Sequence, residues 1–355
     1  MKMELIALTN NGFENLASKE AEKLIKKKSK IYPSLVYLEA DEKETIKLIN
    51  HLQSARRILF SLGSYNDPSK LSFKDIKWKD ILFPNVSLSI IIEGVKGQEN
   101  RNVIVRQVVG QLLPSLEKEF SARIDFKKPD LNLIIFNTAE KYFLGIDLGG
   151  ELNKRDYRLF PNSASFKGDL AYYLVRKSGF KKSEKLLVGF MKDGVLPIEA
   201  ALFANDLAVN NRKKFPYLKL PLFSKVKYSV SKPKKPSIID AFEESLPNFM
   251  AANKNSKLAG TSDFIKMMKC SIEDLDVKYK QNEFDKLMFH ITSKDEAKIN
   301  EIYYQANYLL KKNGRILLIG REQWDPGIPE GFKLVEKEKI NRGENIFLIV
   351  IIEKI

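Results

Sequence analysis

Residues 185–202 read KLLVGFMKDGVLPIEAAL, and this stretch decides the fold of the second half of the chain. A short apolar run leads into a loop that contains Gly194, and Pro197 then opens a second apolar segment. Proline near the start of a segment favours a helix, whereas a short apolar run followed by a glycine-containing loop favours a buried strand. The stretch therefore predicts one strand–loop–helix unit of a parallel α/β sheet.

The same alternation continues on both sides of this stretch. Strands are predicted over residues 185–190, 237–240, 284–291 and 314–320, helices over 167–179, 197–210, 243–258 and 295–312, and a closing antiparallel pair over 332–337 and 346–353. This order predicts a doubly wound, Rossmann-like sheet for residues 161–355. Residues 211–236 interrupt it with a basic stretch that contains Lys232, Lys234 and Lys235, and its prolines predict an irregular insertion that protrudes from the sheet.

The first 160 residues predict two smaller modules. Strand and helix alternate over residues 4–8, 11–28, 35–39 and 42–59, so residues 1–63 form one small α/β unit. A strand at 87–93, a helix at 101–120 and a hairpin of 131–137 with 141–148 make residues 64–160 a second one. The fold class is therefore a combination of α/β and α+β domains.

Composition excludes several classes of protein. The chain has 355 residues, of which 44% are hydrophobic, so it can bury the cores of two or three domains. No run of 18 apolar residues occurs and the N-terminus lacks the pattern of a signal peptide, so we expect a cytoplasmic protein without a membrane partner. One cysteine and two histidines leave no material for a disulfide or a Cys/His zinc site.

The positive charge is concentrated in one part of the chain. The formal net charge is +15, and residues 161–236 alone carry 16 basic against 5 acidic residues. A clustered basic excess is typical of a protein that binds a polyanion, because neutralising phosphates releases counterions. A lysine-rich solvated surface is the alternative. We predict a nucleic-acid partner.

Three segments resemble the THUMP-containing RNA methyltransferases that modify the exocyclic amine of guanosine in tRNA, a group with relatives that act on ribosomal RNA. The segments are SARRIL at 54–59, RIDFKKPD at 123–130 with GGELNKRDYR at 149–158, and IEAAL at 198–202. The resemblance spans nearly the whole chain. It implies a ferredoxin-like domain over 1–63, a THUMP RNA-binding domain over 64–160 and a class I methyltransferase-like domain over 161–355.

The resemblance also implies RNA-binding residues, because the THUMP module of that family binds the acceptor end of tRNA. Basic residues near predicted strand ends can follow a phosphate backbone. An alternative role for Arg155 is a structural pair with Asp125. The candidate RNA contacts are Lys127, Lys128, Lys154, Arg155, Arg158, Lys167, Arg212, Lys213 and Lys214.

The family's cofactor loop, Asp-Pro-x-x-Gly-Ser-Gly-Thr, is altered here. Gly194 remains, while the other positions hold Val188, Gly189, Lys192, Asp193 and Val195. A lysine in place of the first glycine is expected to block the close approach of adenosylmethionine to the backbone.

The family's other cofactor contacts are also in doubt. Alignment on NSKLAG at 255–260 makes Glu243 the acid that would accept from the ribose hydroxyls, with a helix N-terminal acid as the alternative reading. The adenine-contacting acid is replaced by Ser271, near which Glu273 and Asp274 remain as substitutes.

The family's catalytic motif, Asp or Asn followed by Pro-Pro and an aromatic, is missing. Residues 290–293 read HITS, so His290 stands at the catalytic position. A general base and a buried structural histidine are both compatible with that placement. Thr292 and Ser293 have the pattern of a strand end or a helix cap before Asp295.

Two main hypotheses follow. The first is a catalytically degenerate pseudo-methyltransferase that binds tRNA or another structured RNA and needs no cofactor; in a variation of it, the protein is the binding subunit of a heteromer with a catalytic protein partner. The second is an active S-adenosylmethionine-dependent tRNA guanosine methyltransferase with a divergent pocket that uses Gly194 and Glu243. A domain rebuilt around another ligand at Lys192 and Asp193 is the third alternative.

Overall fold

The computed structural model describes residues 2–67, 70, 73, 76–210, 212–229, 236–292, 295–324, 327–342 and 345–355. They form two compact units, each with its own sheet. The first comprises residues 1–153 and 212–229, and the second comprises residues 154–211 and 230–355. The chain therefore leaves the second unit after its first strand–loop–helix segment and returns to it later.

The first unit is built on an eight-stranded sheet with the strand order β2-β3-β1-β4-β8-β7-β5-β6. Its strands are β1 (Met3–Leu8), β2 (Ser29–Tyr32), β3 (Leu35–Ala40), β4 (Arg57–Tyr65), β5 (Ser87–Glu93), β6 (Arg123–Ile124), β7 (Leu131–Asn137) and β8 (Tyr142–Asp147). Its helices are α1 (Glu14–Ile25), α2 (Glu42–His51), α3 (Trp78–Ile81) and α4 (Gln98–Phe120).

The central strand β4 corrects one sequence-based prediction. Residues 52–59 were expected to continue the helix that begins at residue 42, but α2 ends at His51 and β4 begins at Arg57. The turn between them is held by Glu20, whose carboxylate accepts hydrogen bonds from the backbone N–H groups of Gln53 (2.9 Å) and Ser54 (3.2 Å). β4 pairs with β1 on one side and with β8 on the other. The separate ferredoxin-like and THUMP modules remain a prediction, since β4 runs across residue 63 and joins both parts of the sheet.

The insertion does not protrude from the second sheet as we predicted. Residues 212–229 belong to the first unit, where two short 3-10 turns, Pro216–Lys219 and Pro221–Phe223, carry its apolar side chains into the core. Phe215, Tyr217, Leu220 and Phe223 are each at most 6% exposed. The prediction was wrong because the prolines exclude long helices and strands but still permit short turns, and those turns bury aromatic residues. Lys232, Lys234 and Lys235 lie outside the described residues.

The second unit contains a seven-stranded sheet with the order β11-β10-β9-β12-β13-β15-β14. Its strands are β9 (Leu186–Gly189), β10 (Ile239–Glu243), β11 (Ile265–Lys269), β12 (Phe284–His290), β13 (Leu310–Arg321), β14 (Phe332–Arg342) and β15 (Asn345–Lys354). Its helices are α5 (Gly168–Lys177), α6 (Val195–Ala204), α7 (Leu246–Ala259), α8 (Leu275–Lys278) and α9 (Glu296–Leu309).

This topology confirms the predicted doubly wound sheet. Strands β11, β10, β9, β12 and β13 are parallel, and β15 lies antiparallel between β13 and β14. The chain moves from β9 outward to β11 and then returns to place β12 on the other side of β9. Ligands of such sheets bind outside the carboxyl ends of the strands where the order reverses. The ends of β9, β10 and β12 therefore mark the candidate site.

Candidate functional site

A cavity of about 170 Å³ lies at the carboxyl ends of β9, β10 and β12. Residues from all three strand ends and from α9 line it, including Phe190, Lys192, Glu243, His290, Thr292 and Lys298. The sequence placed Lys192, Glu243 and His290 at one site, and the structure brings them together.

The loop after β9 turns sharply through three residues with positive φ. These are Phe190 (φ 53°), Lys192 (φ 54°) and Gly194 (φ 83°). Gly194 is required at its position, because a Cβ there would lie 2.9 Å from the Cβ of Ala252 on α7. Lys192 occupies a conformation that glycine adopts at lower cost, consistent with its replacing a glycine of the family loop.

Asp193 is a structural anchor of the loop. Its carboxylate is fully buried and accepts hydrogen bonds from the Arg158 Nε (2.7 Å), from the backbone N–H of Asn162 (3.1 Å) and from the Ser165 hydroxyl. Its own carbonyl accepts from the Asn255 side-chain amide at 2.9 Å. The acid at the serine position of the family loop therefore ties the loop to the segment before α5.

Glu243 ends β10 and lies 2% exposed beside the cavity, as the alignment on residues 255–260 predicted. Its Oε2 accepts from the backbone N–H of Lys192 at 2.8 Å. Its Oε1 accepts from the backbone N–H of Ser245 at 3.1 Å and lies 3.4 Å from the Asn248 side-chain amide. The carboxylate that would accept from ribose hydroxyls thus already accepts from three protein donors. Because Ser245 occupies the N-cap position of α7, Glu243 also lies close to a helix N-terminus. Both readings of Glu243 therefore have a structural basis.

Aromatic rings pack tightly behind the loop. The Phe190 ring meets Phe242 and Phe289 edge to face, with centroids 5.2 and 5.9 Å away. Gly189 lies under this cluster, where a Cβ would come within 2.5 Å of Phe242 and 2.6 Å of Phe289. The Lys298 ammonium lies 5.1 Å from the Phe190 centroid and pairs with Glu244. Sequence reasoning missed this cluster, although three phenylalanines next to predicted strand ends were a visible signal.

His290 is 3% exposed and packs between aromatic rings. Its ring centroid lies 4.6 Å from that of Phe166 and 6.4 Å from that of Phe347. Beyond it, the Thr292 hydroxyl lies 3.5 Å from the Lys192 ammonium. Ser293 lies outside the described residues, and α9 is capped by Asp295, whose carboxylate accepts from the backbone N–H of Ala297 at 3.0 Å. The packing favours the structural reading of His290 over the general base.

The predicted adenine position is occupied by a local turn. Asp274 accepts from the backbone N–H of Ser271 at 3.3 Å, and the Ser271 hydroxyl contacts Glu273. The neighbouring backbone N–H of Ile272 donates to Glu244 at 3.2 Å. Ser271 and the two predicted substitutes, Glu273 and Asp274, therefore bond one another around the turn.

Arg155 is not available for RNA. Its side chain is fully buried and forms a bidentate pair with Glu199 on α6, Nε to Oε1 at 2.7 Å and Nη2 to Oε2 at 3.0 Å. The Tyr157 hydroxyl donates to the same carboxylate at 2.8 Å. Burial works to lower the pKa of Arg155, but the Glu199 carboxylate raises it above its ordinary value. The predicted Asp125–Arg155 pair is therefore wrong. The partner that sequence reasoning missed is Glu199, the one acidic residue of the apolar helix α6.

The other predicted RNA contacts differ in the exposure of their side chains. Arg158 is engaged because it pairs with Asp193, and Lys213 donates to the Glu151 carbonyl at 2.7 Å. The backbone N–H groups of Lys127 and Lys128 donate to Asp125 and lower the pKa of that carboxyl. The side chains of both lysines are exposed. The exposed residues of the set are Lys127, Lys128, Lys154, Lys167, Arg212 and Lys214.

The cavity is small compared with sites that hold a ligand of the size of adenosylmethionine. A ligand of that size needs a site of roughly 300–1,000 Å³, whereas the cavity measures about 170 Å³. Lys192, the Phe190 cluster and the Lys298–Glu244 pair occupy the space around it. Among the described residues, no group of His, Cys, Asp or Glu side chains is arranged to hold a metal ion, and no helix is long and apolar enough to cross a membrane.

Comparison with known proteins places this site in context. Residues 155–319 match the family model UPF0020, described as an RMKL-like methyltransferase domain. The ribosomal RNA large subunit methyltransferase K/L of Buchnera aphidicola is 29% identical over 218 residues, which cover 58% of this chain and 30% of that protein. The chain thus spans less than a third of the length of this curated relative.

Solved structures show the fold over the whole chain. TrmN from Thermus thermophilus has a TM-score of 0.70 at 16% identity, covering 99% of this chain and 100% of that one. A methylase from Clostridium difficile 630, described as possible, has a TM-score of 0.76 at 18% identity and covers 100% and 98%. SMU.472, solved in complex with SAH, has a TM-score of 0.75 at 17% identity and covers 99% and 97%. The chain has a methyltransferase-like fold.

Proposed function

We propose that this protein binds structured RNA, such as tRNA, and does not transfer methyl groups. In this proposal residues 64–160 act as a THUMP module, and the methyltransferase-like unit serves as a binding scaffold. A heteromer with a catalytic protein partner is compatible with that role. The matched methyltransferase of ribosomal RNA and the net charge of +15 support an RNA partner.

The observation that supports the proposal most is the small cavity at the strand ends, where the cofactor would bind. Asp193, which stands at the serine position of the family loop, is buried in a pair with Arg158. Glu243, which stands at the ribose position, accepts a hydrogen bond from the backbone N–H of Lys192. A cofactor that entered the cavity would have to displace the Lys192 side chain and compete for hydrogen bonds that the Glu243 carboxylate already accepts, at a cost in free energy. Since adenosylmethionine would have to supply that free energy, we expect weak or no binding.

The test is calorimetric titration with S-adenosylmethionine and with S-adenosylhomocysteine, carried to concentrations on the order of 1 mM. We expect no heat and no thermal shift. In parallel, a filter-binding assay with bulk tRNA is expected to show salt-dependent binding. Micromolar binding of adenosylmethionine would overturn the degenerate reading and favour the active tRNA guanosine methyltransferase, in which Gly194 and Glu243 hold the cofactor.

The control variant is Lys192→Gly, which restores the family's glycine without touching the buried Asp193 pair. The variant removes the lysine stem that lines the cavity and relieves a positive φ. A gain of measurable adenosylmethionine binding would identify Lys192 as the main obstruction. Unchanged failure to bind would assign the obstruction to the Phe190 cluster and the Glu243 contacts.

A further inference from the structure

The first unit carries a second, larger concavity, and most of its residues are far in sequence from the strand ends described above. It measures about 490 Å³ and lies between the end of α1, the start of α2 and the end of the insertion. We call it the lysine groove. It is lined by Leu24, Ile25, Lys26, Lys43, Glu44, Lys47, Lys227, Tyr228 and Ser229.

The charge of the lysine groove is strongly positive. Four of its nine lining residues are lysines, and all four are exposed. Its one acid, Glu44, is already engaged, because it pairs with Lys27 and accepts from the backbone N–H of Asp41 at 2.7 Å. The groove therefore offers exposed ammonium groups to an anion, and one of them, that of Lys47, also donates to the Leu24 carbonyl at 2.7 Å.

Tyr228 gives the groove an aromatic surface. Its ring packs against the core of the first unit and lies edge to face with His51, 6.2 Å between centroids. Burial raises the pKa of its hydroxyl to about 12, so the ring remains a neutral phenol at ordinary pH. The ring is half-buried, which fixes its position while leaving part of it at the surface.

The insertion adds charge as well as the aromatic ring. Residues 1–153 carry 23 basic and 20 acidic residues, a net +3, whereas residues 212–229 carry six basic and no acidic ones. The insertion therefore raises the formal charge of the first unit from +3 to +9. The first unit therefore holds +9 of the chain's formal net charge of +15.

We propose that the lysine groove binds a single-stranded segment of RNA, with backbone phosphates at the lysines and one unpaired base stacked on Tyr228. Sites for single strands combine a positive groove that follows the backbone with aromatic rings that stack on bases. Base stacking needs no particular sequence, so the groove is expected to tolerate many sequences. The inference rests on the RNA-binding function proposed above and assigns it a specific surface.

The first experiment removes charge from the groove. The full chain is titrated against a fluorescein-labelled oligouridylate of about 12 nucleotides, a length within the range of known sites for single-stranded nucleic acid. The variant Lys43→Gln/Lys47→Gln/Lys227→Gln is compared with Lys257→Gln/Lys269→Gln/Lys278→Gln, which removes the same charge from exposed lysines of the second unit. Fluorescence anisotropy at several salt concentrations gives the affinity and its salt dependence.

We expect the groove variant to bind at least about tenfold more weakly and the control to bind as the wild type does. Each lost phosphate contact lowers the slope of log affinity against log salt by about 0.7 for a single strand, so the slope is expected to fall by about 2. Thermal melts of both variants establish that each is folded.

The second experiment tests the stacking surface. Tyr228→Phe keeps the ring and is expected to bind as the wild type does. Tyr228→Leu keeps an apolar side chain of similar bulk but loses the ring, and binding is expected to weaken about fivefold or more with an unchanged salt slope. Equal binding by the phenylalanine and leucine variants would overturn the stacking part of the inference.

The outcomes separate this inference from the proposed function. If the wild type binds neither tRNA nor the oligonucleotide, the proposed RNA-binding function itself fails. If it binds RNA and the groove and control variants bind equally, only the inference fails. Weakened binding to duplex RNA or to anionic vesicles alone, with the single strand unaffected, would also overturn it.

Discussion

At the residue scale, the decisive feature is what happens to charges inside the methyltransferase-like unit. Arg155, Glu199 and Asp193 have fully buried side chains, and each is paired. A buried charge that loses its partner costs several kcal/mol, since the remaining ion can neither be hydrated nor neutralised.

Glu199→Gln tests the buried pair. The substitution removes the carboxylate of the bidentate pair and places a neutral amide beside the buried Arg155 guanidinium. We expect the free energy of unfolding to fall by about 3–5 kcal/mol, measured by urea denaturation. The matched control is Glu322→Gln, which breaks the exposed Lys339–Glu322 contact (2.8 Å) and should cost under about 1 kcal/mol. Equal effects of the two substitutions would contradict the role assigned to Arg155.

Gly194→Ala tests the close approach of the loop to α7. A Cβ at this position meets the Ala252 Cβ at 2.9 Å, and the φ of 83° disfavours any side chain. We expect a loss of about 1–3 kcal/mol in the free energy of unfolding. Gly110→Ala in α4 is the control, because nothing lies within 4 Å of its Cβ and alanine is the better helix former. A neutral Gly194→Ala would mean that the loop is not packed as described.

At the scale of elements, the insertion is held to the first unit by polar as well as apolar contacts. The Lys219 ammonium contacts Asp130 at 2.6 Å, and the Ser87 hydroxyl and backbone N–H donate to the same carboxylate at 2.7 and 3.0 Å. These donors join the insertion to the segment that precedes β7 and to the start of β5. The Lys219 hydrogen bond, followed by those of Ser87, lowers the pKa of Asp130 to about 2.

The lowered pKa gives a pH dependence with a definite sign. In the unfolded chain the pKa of an aspartate is about 3.9. The ionised Asp130 therefore stabilises the fold above that pH, and its contribution is lost as the pH falls toward about 2. We expect the difference in melting temperature between the wild type and Lys219→Met to shrink from pH 6 to pH 2. A constant difference over this range would show that the ion pair contributes nothing, as exposed pairs often do.

At the scale of the whole molecule, the chain builds two units whose boundaries are not contiguous in sequence. Residues 212–229 complete the core of the first unit although residues on both sides of them belong to the second. The charge follows the same division, because the insertion carries six basic residues and no acids. A segment that follows the cofactor loop in sequence therefore supplies a charged surface of the first unit.

Phe223→Ala tests the discontinuous first unit. The phenylalanine is 4% exposed, belongs to the core of that unit and meets Tyr217 edge to face with a centroid distance of 5.2 Å. We expect the substitution to cost about 3–5 kcal/mol and to speed hydrogen exchange in the amides of residues 2–153. Leu218→Ala, at 60% exposure, is the control and should change little. Unchanged exchange in Phe223→Ala would remove the insertion from the core.

Sequence by itself determined the doubly wound sheet, and it predicted a site at the ends of β9, β10 and β12 in which the motifs of the resembled methyltransferases are altered. It did so because strand and helix periodicities are local, and because the altered loop positions can be read one by one. It missed the edge strand β11, whose sequence IKMMK lacks a clear alternation of polar and apolar residues.

Tertiary structure alone decided which charged residues are exposed. Arg155 was expected at an RNA surface, but its partner Glu199 lies 44 positions further along the chain. Only the packing of α6 brings the two together. The path of the insertion into the first unit was hidden for the same reason: composition shows that a segment is basic and rich in proline, whereas its place depends on which distant core has room for its aromatic rings.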